Sequence, residues 1–157
     1  MIHALDPERG IDFSLRLARR PEAGEAEVWP RLAAPGLDPH SLADPTFRPQ
    51  GPAITAISAP RASFEAAGDA DQWLAFEATE RGAAGLAGRV RGRLLVAATQ
   101  DPEAGPSAAA EALDVDLRFR ARAPGLRRGG RWERVGAITG RLRVGAETVE
   151  IDAPLGK

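Results

Sequence analysis

The feature that most constrains this chain is a run in which apolar and charged residues alternate without a break. The apolar positions are Leu113, Val115, Leu117, Phe119 and Ala121, and the charged positions are Asp114, Asp116, Arg118, Arg120 and Arg122. A period of two is typical of a β-strand with one buried face and one solvent-exposed face. We therefore predict a strand over residues 113–123, with the first four of these apolar side chains in the core.

Other segments have a similar extended pattern, which indicates that the chain is all-β. The further strands are predicted at residues 11–18, 72–79, 88–99, 132–144 and 148–151. Gly136 and Gly140 share one face of their strand, which predicts β-bulges or a close approach of another backbone. Hairpin-scale spacing without a βαβ rhythm predicts an antiparallel calycin-like barrel or a curved β-sandwich. We expect a single β domain over residues 1–157.

The segment from residue 21 to residue 60 has a different character, because prolines interrupt it throughout. They are Pro21, Pro30, Pro35, Pro39, Pro45, Pro49, Pro52 and Pro60. Each proline fixes φ and removes a backbone donor, so neither a long helix nor a central strand is expected. We predict a long irregular loop that is more mobile than the sheet, with only short extended pieces such as residues 53–58.

Composition narrows the chemistry that the chain can perform. Cysteine is absent, so disulfides and thiolate metal sites are excluded. The net charge of −1 gives no overall attraction to nucleic acid or to anionic lipid. No apolar run approaches the ~20 residues that a membrane span needs, and no signal-peptide pattern is present. We expect a soluble, cytoplasmic protein with no membrane span, and the abundance of Ala, Arg, Gly and Pro suggests a GC-rich bacterial genome.

Few side chains are suited to catalysis. Only His3 and His40 could act as acid–base groups near neutral pH or as imidazole ligands, and neither has a neighbouring histidine. We therefore predict no metal site and no cofactor. The carboxylate pair Asp69/Asp71 is predicted to lie in a turn. The pair Asp114/Asp116 is predicted to lie on the solvent-exposed face of a strand. Catalytic residues remain unassigned, because general acid–base work needs a carboxyl with a shifted pKa in a cleft.

Arginines form stripes on three predicted strands. They are Arg89, Arg91, Arg93, Arg118, Arg120, Arg122, Arg141 and Arg143. If the strands are neighbours, the stripes could form a basic patch that binds carboxylate or phosphate groups. Alternatively, they belong to a solvated face with acidic cross-strand partners such as Asp114, Asp116 and Glu133. The near-neutral net charge favours the solvated face.

Three sequence runs in the C-terminal part carry a family resemblance. They are LDVDLRFRARAPGL from Leu113, RWERVGAITGRLRVG from Arg131 and VEID from Val149. Over residues 113–152 the chain resembles the lipocalin-like proteins related to bacterial carotenoid hydratases. Such proteins usually carry two lipocalin-like halves, and a histidine-rich catalytic segment follows this hairpin. The resemblance does not extend to that segment, so it implies a half-length relative without implying the family's catalysis.

The expected function is binding of an apolar or amphipathic small molecule in a β-barrel pocket. Aromatic side chains would line the pocket and an arginine would meet an acidic head group at its mouth. The predicted ligand-binding residues are Trp73, Phe76, Phe119, Trp132, Arg118 and Arg120. In a narrow barrel the same aromatic side chains would fill the interior instead.

Two alternatives stay open at this point. The chain could be a hydratase- or cyclase-like enzyme of the same fold, which a carboxylate inside the barrel would favour. It could also be a half-barrel interaction module that assembles with a second chain. The predicted edge strand at residues 148–151 would then pair with a second copy in a homodimer, or close the barrel onto residues 11–18. We expect the homodimer.

Overall fold

The structure, a computed structural model, describes residues 1–20, 25–43, 61–67, 72–80, 86–98, 109–122, 126–128 and 131–157. All regular secondary structure in these ranges is β-strand. The strands are β1 (Ile2–Asp6), β2 (Ile11–Arg20), β3 (Glu25–Ala34), β4 (Leu37–Leu42), β5 (Arg61–Ala67), β6 (Trp73–Glu80), β7 (Leu86–Ala98), β8 (Glu111–Ala121), β9 (Leu126–Arg128), β10 (Arg131–Glu133), β11 (Gly136–Val144) and β12 (Glu147–Gly156). Within the same ranges, no helix is long and apolar enough to cross a membrane.

Ten of these strands form one antiparallel sheet that closes on itself. Their order is β4-β3-β2-β1-β12-β11-β8-β7-β6-β5, and an additional pairing joins β4 to β7. This pairing closes the eight strands from β4 to β7 into a barrel, whereas β6 and β5 continue the sheet beside β7. Strands β9 and β10 form a separate two-stranded ribbon between β8 and β11. The predicted all-β antiparallel barrel is confirmed, and its form is consistent with a calycin-like barrel.

The core follows the alternation that the sequence shows. On β8, Leu113, Val115 and Leu117 are buried, and Phe119 is partly buried and packs against the core. The largest fully buried side chains are Phe13, Leu15, Leu32, Leu74, Leu94, Leu113, Leu117, Ile138 and Leu142, with Val28, Val90 and Val96. The predicted strands over residues 11–18, 72–79, 88–99, 113–123 and 148–151 correspond to β2, β6, β7, β8 and β12. The interior of the barrel is therefore filled by aliphatic and aromatic side chains.

Glycines allow β11 to approach β8 closely, as predicted. Gly140 has a φ of +138°, and a Cβ there would collide with the carbonyl oxygen of Asp116 on β8. A Cβ at Gly136 would collide with the carbonyl oxygen of Arg120. The ladder between β11 and β12 also shifts register between Gly136 and Ile138. The predicted combination of a bulge and a close backbone approach is confirmed.

The irregular loop predicted for residues 21–60 is wrong for its first half, because β3 and β4 lie within it. Pro30 is opposite Leu15 on β2. On the other edge of β3, the described pairing with β4 begins only at Arg31, one residue after Pro30. Pro39 lies where the β3–β4 ladder is irregular. Proline is tolerated at such edges and irregularities, since a ladder donor is not needed there. The extended piece predicted at residues 53–58 lies outside the described residues.

The N-terminal segment around His3 is a strand, which was not predicted from the sequence. Strand β1 pairs with β2 on one side and with the end of β12 on the other, where Leu5 is opposite Leu155. The backbone of His3 also exchanges two hydrogen bonds with that of Lys157. Strand β12 therefore pairs with β1 at its last residues, from Leu155 to Lys157, and not with residues 11–18. A homodimer through β12 is not tested by a single chain and stays a prediction.

Truncating a core side chain of β8 should destabilise the barrel strongly. Leu117 is 1% exposed, so we expect Leu117→Ala to lower the free energy of unfolding by about 2–5 kcal/mol. The neighbouring residue Arg118 is exposed, and Arg118→Ala serves as the control, with an expected change within about 0.5 kcal/mol. Urea unfolding followed by circular dichroism measures both values. Similar midpoints for the two variants would contradict this orientation of β8.

The close contact of β11 with β8 makes a second prediction about stability. Gly140→Ala should lower the free energy of unfolding by about 3 kcal/mol or more, because it adds a steric collision to an unfavourable φ. Gly36 has a φ of +81° but open space around it. Gly36→Ala should therefore cost only the conformational strain of about 1–2 kcal/mol. Equal thermal stabilities of the two variants would show that the predicted collision does not occur.

Candidate functional site

At one end of the described part of the barrel, the partly buried side chains of Ile2, Phe76 and Phe119 come together. We call this the basal end. It is the end at which β1 and β11 begin and β8 and β12 end. A shallow depression lies at this end. Its apolar lining consists of Ile2, Phe76, Gly88, Val90, Leu117, Phe119 and Ile138, and Arg89 and Arg118 border it. The basal end thus offers a small molecule an apolar contact with the interior.

Gly88 creates the depression because it carries no side chain in an inward-facing row. It lies between Ala78 on β6 and Phe119 on β8. A Cβ at this position would lie 3.7 Å from Cε2 of Phe76 and 3.2 Å from the carbonyl oxygen of Glu77. The depression is small, about 10 Å³, which is about the space that one water occupies. A larger molecule would therefore rest on the aromatic rings, or displace them, rather than enter an existing cavity.

Two of the four predicted aromatic contacts meet at this depression. Phe76 and Phe119 are both partly buried and pack against the core from β6 and β8. Trp73 is on the opposite face of β6, where it is 44% exposed and lies opposite Arg93. This separation follows from the period of a strand, because residues three apart point to opposite faces. Trp132 is on β10, and its side chain lies outside the described residues.

The two predicted arginines are on the outer face of β8. Arg118 is opposite Arg89 on β7, and Arg120 is opposite Ala87. Both are exposed, and neither forms an ion pair with another residue of the described ranges. Arg118 borders the depression, so its charge is close to the apolar site without entering it. The structure thus brings Phe76, Phe119 and Arg118 to one place and leaves Trp73 elsewhere.

Four of the eight stripe arginines are engaged with carboxylates of the described residues, as expected for a solvated face; they are Arg89, Arg93, Arg141 and Arg143. Arg89 donates two hydrogen bonds to Asp116, at 2.9 and 2.7 Å. Asp114 accepts hydrogen bonds from both Arg93, at 2.7 Å for its Nε, and Arg143. Hydrogen bonds from these guanidinium groups hold the pKa values of both aspartates below their ordinary range, against a smaller opposing effect of burial. The predicted partner Glu133 has its side chain outside the described residues.

The two histidines are on separate strands and do not form a joint site. Nε2 of His3 lies 2.9 Å from Oδ1 of Asp12, at the surface of β1 and β2. His40 is buried on β4, and its Nδ1 donates to the carbonyl oxygen of Asp38 at 2.6 Å. No group of three or more potential metal ligands comes together within the described ranges. The arrangement of these residues therefore offers binding contacts rather than an evident catalytic group.

Sequence reasoning missed several residues of the depression. Gly88 has no side chain that would mark it in the sequence, and Ile2 lies outside the predicted strands. A scan against family models, a search of curated proteins and a search of solved structures found no match to this chain. The function is therefore inferred from the geometry of the basal end.

The ion pairs on the outer face make a prediction about pH. The pKa of Asp114 is lowered mainly by its hydrogen bond from Arg93. Because its folded-state pKa is lowered, ionised Asp114 stabilises the fold at pH values above the ordinary pKa of about 3.9. This stabilisation is lost as the pH falls through the folded-state pKa. We expect Arg93→Gln to raise the pKa of Asp114, measured by NMR titration. Arg91→Gln is the control, and an equal effect of both variants would contradict the assignment.

Proposed function

We propose that this protein binds an apolar or amphipathic small molecule at the basal end of its barrel. The observation that carries the proposal is the pair of incompletely covered rings, Phe76 and Phe119, on either side of Gly88. Aromatic faces give a ligand a large contact area at a small cost in side-chain entropy. The resemblance to lipocalin-like proteins, which is carried by residues 113–152, supports the same class of ligand.

An amphipathic ligand would find its two contacts in different places. Its apolar part would contact Phe76 and Phe119, and an acidic head group would lie outside the sheet near Arg118 and Arg120. Both arginines lack a described ion-pair partner, so their donors remain available to a carboxylate. Trp132 belongs to the ribbon that joins β8 to β11 at this end, and its contact with a ligand stays a prediction.

The hydratase- or cyclase-like alternative finds no specific support. Such an enzyme would need an acid or base beside the bound molecule. Among the described residues that line the depression, none is a carboxylate, a histidine or a hydroxyl-bearing residue. The interaction-module alternative is also not favoured, because the eight barrel strands of one chain already close on themselves. Binding of a ligand is therefore the function that the geometry supports best.

Filling the depression tests the proposal. We expect Gly88→Leu to occupy the space between Phe76 and Phe119 and to weaken binding of the apolar fluorophore N-phenyl-1-naphthylamine at least about ten-fold. Ala87→Leu is the control, because it adds the same side chain to the outer face of the same strand. Fluorescence titration gives the dissociation constants, and circular dichroism confirms that both variants are folded. No binding to the unmodified protein, or equal binding by both variants, would reject the site.

A further inference from the structure

The outer surface at the basal end carries exposed apolar side chains that the fold does not require. Leu5 on β1 and Leu155 on β12 are directly opposite each other, and they are 44% and 65% exposed. Val135, just before β11, is 47% exposed. Gly136 and Gly156 are paired, and Val135 and Leu155 each precede one of these glycines. We call these three residues, Leu5, Val135 and Leu155, the basal apolar patch.

A further exposed aromatic side chain, Trp29, lies on the outer face two strands away from Leu5. Trp29 on β3 is 38% exposed, and the guanidinium carbon of Arg16 lies 4.8 Å from the centre of its ring. Arg16 is opposite Trp29 on β2, near the start of β1. Tryptophan beside arginine is frequent where a protein surface meets the head groups of a bilayer, since the ring is amphipathic and the cation faces phosphate.

Cationic side chains lie on the side of the patch that faces β8. Arg120 is opposite Ala137, which is next to the β-bulge beside Leu155. The backbone of Arg122 donates a hydrogen bond to the carbonyl oxygen of Val135, 3.0 Å away. Both arginines are exposed and form no ion pair with another residue of the described ranges. The nearest acid on this face, Asp12, is engaged by His3.

From these observations we infer that the basal end docks onto an anionic lipid surface, with the basal apolar patch inserted among the head groups. Exposed apolar patches with a polar rim usually mark interaction sites. The cationic rim complements a negative surface, and each arginine near such a surface adds to the attraction. This inference rests on residues other than those of the depression.

Vesicle flotation tests the docking. The unmodified protein should float with vesicles of phosphatidylcholine and phosphatidylglycerol, and much less with pure phosphatidylcholine vesicles. Replacing both leucines, Leu5→Thr with Leu155→Thr, should lower the partition coefficient at least about ten-fold. Trp73→Thr is the matched control, since it removes an equally exposed apolar side chain outside the patch. Its partition coefficient should equal that of the unmodified protein.

The cationic rim is tested separately. Arg120→Gln should weaken binding to the anionic vesicles by about five-fold, whereas Arg91→Gln, on β7, should not. Added salt should weaken binding as well, because it screens the attraction. The inference is overturned if the unmodified protein does not float, or if the leucine variant floats as well as Trp73→Thr. It is also overturned if sedimentation shows a dimer that the leucine replacements dissociate, since a second copy would then occupy the patch.

Discussion

The barrel depends on a seam of three residue pairs between β4 and β7. His40, Ser41 and Leu42 are opposite Ala98, Ala97 and Val96. The amide of Ala43 extends the seam by donating to the carbonyl oxygen of Leu95, 2.9 Å away. Without these pairs the ten strands would form an open sheet with one apolar face exposed to water. Closure covers that face, so a few backbone hydrogen bonds determine whether the side chains of the core are buried.

The pairing of β4 with β7 is possible because β7 is long enough to have two partners on one edge. Residues 86–93 pair with β6, and residues 96–98 pair with β4. The chain thus forms a closed barrel while β6 and β5 continue the sheet beside it. Phe76 is on β6, and Val90 is opposite it on β7, so the site lies where this extension leaves the barrel. The position of the depression is therefore a consequence of the topology.

The sequence predicts the strands whose two faces differ and fails where the pattern is weak or inverted. In β8, apolar and charged residues alternate because one face packs on the core and the other is exposed to solvent, and the prediction is confirmed. In β1 the pattern is inverted, since Asp6 is buried and Leu5 is exposed. Asp6 accepts a hydrogen bond from the backbone of Arg9 in the following turn. A buried acid beside an exposed leucine cannot be recognised from alternation, so β1 was missed.

The prediction of an irregular loop over residues 21–60 failed for a related reason. The rule that excludes proline from a sheet applies to positions where a backbone donor is required, and the sequence does not reveal those positions. For the site, the aromatic residues could be found from the sequence, but their grouping could not. Phe76 and Phe119 meet only because Gly88 leaves a gap, and a missing side chain has no periodic signal. Trp73 and Phe76 were predicted at one site although residues three apart on a strand point to opposite faces.

The basal end differs from the rest of the barrel in a way that stability alone does not explain. An exposed leucine contributes little to folding, since it remains in contact with water, and a polar β-former such as threonine would serve a strand equally well. Leu5 and Leu155 are nevertheless opposite each other across two strands. The same end carries the incompletely covered rings of Phe76 and Phe119 on its inner side. A ligand soluble in lipid and a surface that contacts lipid would then occupy one end of the barrel, which would shorten the path of the ligand through water.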